Sequence, residues 1–185
     1  MTPGIFLALR IFNQKHFMLL RDFNSTIDTW IDALHNYSFA KLCIKPTPSS
    51  WSLGQLYLHL IDDTGYYIEQ IKPCLSTNDN ATEDIKPNGK ALLQANTFPD
   101  ILIEGHPNNA FIPQPESKEQ LLQSLKNIKD EMNNTWLMVN QTTFHGKSKH
   151  DGFGYLTAAE WFQLAEMHFR HHLRQKKRLD DFLSK

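Results

Sequence analysis

At 185 residues the chain is the size of one domain, and with 41% apolar residues it can close a single core without a disulfide or metal staple. Its 19 Lys and Arg against 20 Asp and Glu leave a net charge of -1, so there is no global field to draw nucleic acid or an anionic membrane. No stretch approaches the roughly 18 apolar residues that span a bilayer, and Cys43 and Cys74 belong to no C-x-x-C or Cys/His zinc spacing.

The first apolar run, at residues 5–9, has no basic residue before it, is interrupted by Arg10 and is followed by no small-residue cleavage site, so it does not read as a signal peptide. The expectation is a soluble, cytoplasmic protein with reduced thiols, in which the sequons at Asn24, Asn80, Asn133 and Asn140 are Asn-rich composition only.

Helical spacing is clear from Leu20 through Phe23, Ile27, Trp30, Leu34 and Tyr37, and KPTPSS at residues 45–50 ends the connection that follows. The same period extends back through Ile5, Leu9 and Phe12. Residues 1–17 are therefore assigned as an N-terminal extension with helical periodicity, and residues 18–185 as the domain, Met18 being an alternative start.

Three further helices carry the same start signal, an N-cap hydroxyl followed three residues later by Glu or Gln. Ser52 and Gln55 open the second helix, with Trp51 and Leu56 at the positions of a hydrophobic staple, and its stripe is Leu56, Leu60, Tyr67 and Ile71. Ser117 and Gln120 open the third, whose stripe is Leu121, Leu125, Ile128 and Met132. Thr157 and Glu160 open the fourth, with Leu156 and Trp161 as a second staple and Trp161, Ala165, Leu179 and Leu183 facing the core. Between the second and third helices lie about forty residues rich in Asn, Asp and Pro, far more than the roughly 2–8 of an ordinary bundle connection. A connection of that length is either a crossover between bundle ends or a lid over a site.

AEMHFRHHLRQ, residues 165–175, concentrates three histidines near the end of the chain. At about 100° per residue, His168 and His172 fall inside the apolar stripe of the fourth helix, whereas His171 sits near its edge. H-x-x-x-H stacks two imidazoles one turn apart on one face, which lets both reach a single metal ion. The same pair also fits inward histidines that merely hydrogen-bond a neighbour. His59 lies at the margin of the apolar stripe of the second helix, on a polar seam with Asp63, Tyr66 and Gln70. If the two helices are neighbours, the seam faces His168 and His172. Asp63 could then orient His59 or accept a proton beside a metal, or it is simply an exposed carboxylate next to Asp62.

WSLGQLYLHLIDD, FIPQPESKEQLLQSL and FGYLTAAEWFQLAEMHFRHHLRQ, in that order and spacing, resemble the DinB-like superfamily, named for DNA-damage-inducible proteins. The likeness covers roughly residues 18–183. It implies an all-α fold, a four-helix bundle in up-down-down-up order whose long connection carries the chain back to a parallel third helix. It also implies a divalent metal, zinc or nickel, between three histidines, for which His59, His168 and His172 match the family's positions, and a homodimer.

A metal on three neutral nitrogens keeps its charge and can activate water or stabilise a thiolate. The resemblance implies either chemistry: a metal-dependent hydrolase, or a low-molecular-weight thiol S-transferase with a thiol cofactor, acting on an unidentified small-molecule substrate. No residue separates the two, although Arg170, Arg174 and Lys177 lie on the helix face opposite the metal, poorly placed for a charged cofactor. The reading from another class is a non-catalytic, stress-related helical bundle that binds a metal or other ligand. The basic run RHHLRQKKR does not argue for nucleic acid, because cations near a helix C-terminus are favoured by the helix dipole.

Overall fold

The computed structural model describes residues 3–100 and 111–185, with side chains from Met18 onward. The apolar positions Ile5, Leu9 and Phe12 lie outside the described side chains. The described residues are mostly helical. Four long helices, α1 (Pro3–Leu34), α3 (Leu53–Cys74), α5 (Lys118–Gln141) and α6 (Ala158–Leu183), are joined by two short ones, α2 (Phe39–Leu42) and α4 (Pro87–Ala95). One antiparallel hairpin, β1 (Lys147–His150) and β2 (Gly154–Thr157), leads directly into α6.

The helix starts follow from their caps. Ser52 and Thr157 each accept from the backbone N–H three residues on, while the Gln55 and Glu160 side chains accept from the cap's own N–H. Each such cap stabilises its helix by about 1 kcal/mol. At α5 only half of the box forms: Ser117 accepts from the Gln120 N–H, but the Gln120 side chain accepts from the Glu116 N–H instead. Ser117 has φ -158, against -77 and -73 at Ser52 and Thr157, and that rotation presents the preceding N–H to the glutamine.

The predicted stripes meet in one core. Phe23, Ile27, Trp30 and Leu34 of α1, Leu56, Leu60 and Ile71 of α3, Leu121, Leu125 and Met132 of α5, and Trp161 and Ala165 of α6 are buried together. Full burial of each large apolar side chain is worth about 1.5–3 kcal/mol. Two of the buried polar ends are satisfied across the core, Trp30 Nε1 donating to the Phe169 carbonyl at 3.2 Å and Tyr57 OH to the Trp30 carbonyl at 2.9 Å, whereas the Trp161 indole N–H is buried without a partner.

Partners along the helices keep a consistent order. On α1 and α6, Thr26 meets Glu166 and Tyr37 meets Asp180. On α1 and α5 the order reverses, Asn24 meeting Asn133 and Asp28 meeting Lys129. Gln55 at the start of α3 donates to the Ile112 carbonyl just before α5, and Leu75 at the end of α3 accepts from Thr142 at the end of α5. Between α3 and α6, Tyr67 lies against Trp161 and His59 against His168 and His172.

The long connection holds structure that periodicity did not reveal. α4 starts with Pro87, which needs no N–H partner there, and ends at Asn96 in the left-handed region (φ 50, ψ 37). Its C-terminal carbonyls are caught by α6: Gln163 donates to the Leu93 carbonyl at 2.9 Å, Arg170 to that of Asn96 at 2.8 Å and Arg174 to that of Phe98 at 2.9 Å. Upstream, Lys86 N–H donates to the Phe153 carbonyl and Tyr155 N–H to that of Asp84, so residues 84–86 run along the hairpin. Gly154, at φ +83, permits this approach, since a Cβ there would stand 2.8 Å from the Asp84 oxygen.

No helix among the described residues is long and apolar enough to cross a membrane. Cys43 and Cys74 are both free.

Candidate metal centre

His59 stands two turns into α3, and His168 and His172 stand three and four turns into α6, so the two caps set the height of all three rings. Their Nε2 atoms converge. His59 Nε2 lies 3.2 Å from each of the other two, and His168 and His172 Nε2 are 3.0 Å apart. His59 and His168 are buried, 4% and 8% exposed, and His172 is half-buried. The three form the one group of metal-binding residue types with such proximity among the described residues.

A contact between two imidazole nitrogens needs one N–H and one lone pair, and in a triangle of three at least one pair must be alike. Hydrogen bonds among the three nitrogens therefore cannot satisfy the triangle by themselves, whereas one cation held by three Nε2 lone pairs would. Its dimensions also suit one: ligands at about 2.05 Å from a metal stand about 2.9 Å apart at right angles and about 3.3 Å apart at the tetrahedral angle, which brackets the observed edges. The rings are neutral over the physiological range. Burial lowers His59 to about 4. Burial, with help from the neighbouring His59, lowers His172 to about 3, and burial pushes His168 well down too, followed by its two partners.

The outer nitrogens are held unequally. His172 Nδ1 is 2.9 Å from Gln175 Oε1, one turn along α6. His59 Nδ1 is 3.6 Å from Asp63 Oδ1, and the other oxygen of that carboxylate is 3.6 Å from His168 Nε2, so Asp63 stands beside the triangle at its partly exposed rim. His168 Nδ1 is buried without a hydrogen-bond partner. Trp51 packs against the His59 ring at 4.9 Å, and Tyr67 meets the His168 ring edge-on at 5.9 Å. These apolar walls fix the rings and keep the local dielectric low.

His171 turns away, its ring against Phe98 of the connection at 5.2 Å. Three basic residues of α6 are engaged elsewhere: Arg170 with buried Glu166, Arg174 with Asp100 and Lys177 with Asp181. Cys74 is buried at the hairpin, its sulfur near Gln70, Ser148 and Leu156, and burial raises its pKa.

A profile of the DinB superfamily matches residues 22–175, which take in both helices of the triad. The chain belongs to the DinB superfamily. Among curated proteins none matches it. Membership agrees with the mostly helical fold and with a histidine cluster able to hold a metal ion.

Sequence reasoning missed three supports of the DinB triad. The sequence pattern marks Trp51 as a staple residue and Tyr67 as core, and assigns Gln175 no chemical role. The i,i+3 spacing of His172 and Gln175 was the available signal for the last.

Proposed function

We propose that His59, His168 and His172 hold one divalent cation, zinc or nickel, and that this centre acts on a small-molecule substrate as a hydrolase or thiol S-transferase. The observation that carries the reading is the triangle of three Nε2 atoms at 3.0–3.2 Å on neutral, buried rings. The cation, held by neutral ligands, supplies Lewis acidity that lowers the pKa of a water or thiol presented to it. Asp63, whose two oxygens stand 3.6 Å from His59 Nδ1 and 3.6 Å from His168 Nε2, would be the carboxylate at the rim that takes up a released proton. Trp51 and Tyr67 hold the rings and exclude water from behind them.

The pairing order along the helices supports the up-down-down-up four-helix bundle for residues 18–185, with the long connection as the crossover. The homodimer belongs to the same reading and is checked by light scattering.

Elemental analysis of the purified protein, before and after incubation with zinc or nickel, tests the centre. One equivalent is expected in the wild type and a loss of uptake in each of His59→Ala, His168→Ala and His172→Ala. Absence of stoichiometric uptake, or uptake indifferent to all three substitutions, removes the reading. Ester and amide substrates, run beside thiols with an electrophile, then separate the two chemistries.

A further inference from the structure

We propose that Gln175 is a positioning residue that locks His172 in one tautomer, an inference that rests on the triad's being a metal site. Gln175 Oε1 is 2.9 Å from His172 Nδ1. An amide oxygen can only accept, so the imidazole donates from Nδ1 and its Nε2 is left as a bare lone pair. That lone pair is the one that points at His59 and His168, 3.2 and 3.0 Å away. Without the acceptor, the proton is free to move to Nε2, where it would sit inside the triangle and exclude a cation.

Gln175 is well placed for this role because both groups are on α6, one turn apart, so the helix and not a loop sets their distance. Its neighbours do not compete for the amide: Arg174 is bound to the Phe98 carbonyl and Asp100, and Lys176 to Tyr37 and Asp180. The chemistry of the acceptor also differs from that beside His59, where a carboxylate stands at 3.6 Å. A neutral amide fixes the tautomer without adding negative charge to the ring, so the ligand stays a weaker base and the cation keeps more of its charge.

Nitrogen-15 NMR of the histidine rings in metal-free protein, combined with zinc titration against a competing chelator, tests the inference on the wild type, Q175L and Q175E. The wild type should carry the His172 proton on Nδ1. Q175L should shift protons to Nε2 and bind zinc about 10–100-fold more weakly. Q175E restores an acceptor and should recover both the tautomer and the affinity. A wild-type His172 protonated on Nε2, or a zinc affinity unchanged in Q175L, overturns the proposal. Should the wild type bind no zinc while its His172 tautomer still depends on Gln175, the metal reading falls and the tautomer lock stands.

Discussion

His59→Gln in metal-free protein should flatten the loss of stability in mild acid. Burial holds folded His59 at about 4, while in the unfolded chain an imidazole titrates near 6.5. As the pH falls below about 6.5, the unfolded chain takes up a proton that the folded protein refuses, so stability declines towards about pH 4 and the slope disappears below that. Between pH 6.5 and 5 the refused proton amounts to about 1–2 kcal/mol for His59 alone, a large part of a net stability of about 5–15 kcal/mol. His168 and His172 are shifted in the same direction, so the metal-free wild type bears up to three such losses at once. The assay is urea unfolding of chelator-treated protein at half-unit steps from pH 7.5 to 5, above the range where ordinary carboxylates titrate. His59→Gln should remove about 1 kcal/mol per pH unit from the slope. Equal slopes in the two proteins would show that His59 is not buried as a neutral ring, and the account of the site's electrostatics would fail with it.

Bound zinc or nickel should reverse part of this sensitivity: with saturating metal at pH 7.5, thermal unfolding of the wild type should shift upward, and that gain should shrink as the pH approaches 5 because protons compete for the same nitrogens. Asp63→Asn should retain metal uptake but lose most turnover on whichever substrate is found, measured as kcat at saturating metal; uptake lost along with turnover would make Asp63 part of the binding set instead. Gly154→Ala should cost about 1–3 kcal/mol in urea unfolding, since it adds a Cβ at positive φ against the Asp84 carbonyl. Trp30→Phe should cost about 2–4 kcal/mol by leaving a cavity and losing the indole's hydrogen bond to the Phe169 carbonyl; a cost below about 1 kcal/mol would deny that the indole is packed there.

Much of the site was legible because it hangs on two helices with strong caps. Once Ser52 and Thr157 fix where α3 and α6 begin, helical geometry fixes the height and facing of His59, His168 and His172, and only the adjacency of the two helices must be supplied. The structure supplies it through Tyr67 against Trp161, a contact between two residues already assigned to facing stripes. What periodicity could not show is held by groups without periodic signatures. The strands of the hairpin are four residues each, too short to declare an alternation, and β1 buries only Ser148. α4 is fastened to α6 through the carbonyls of Leu93, Asn96 and Phe98, and a backbone carbonyl is present at every position of any sequence.

Arg170 and Arg174 illustrate the consequence. On the helical wheel they are cations on the face away from the triad, and they lie too far from the last turn of α6 for its dipole to account for them. In the fold they are the clamps that hold the connection against the helix bearing His168 and His172, with the Phe98 ring tilted against His171 between them. The same face therefore braces the helix of His168 and His172 from outside, while Gln175 stands 2.9 Å from His172 Nδ1 and Asp63 3.6 Å from His59 and His168 on the other side. The contacts of Arg170 and Arg174 needed the connection to have a place, whereas Asp63 and Gln175 lie one turn from His59 and His172 on their own helices.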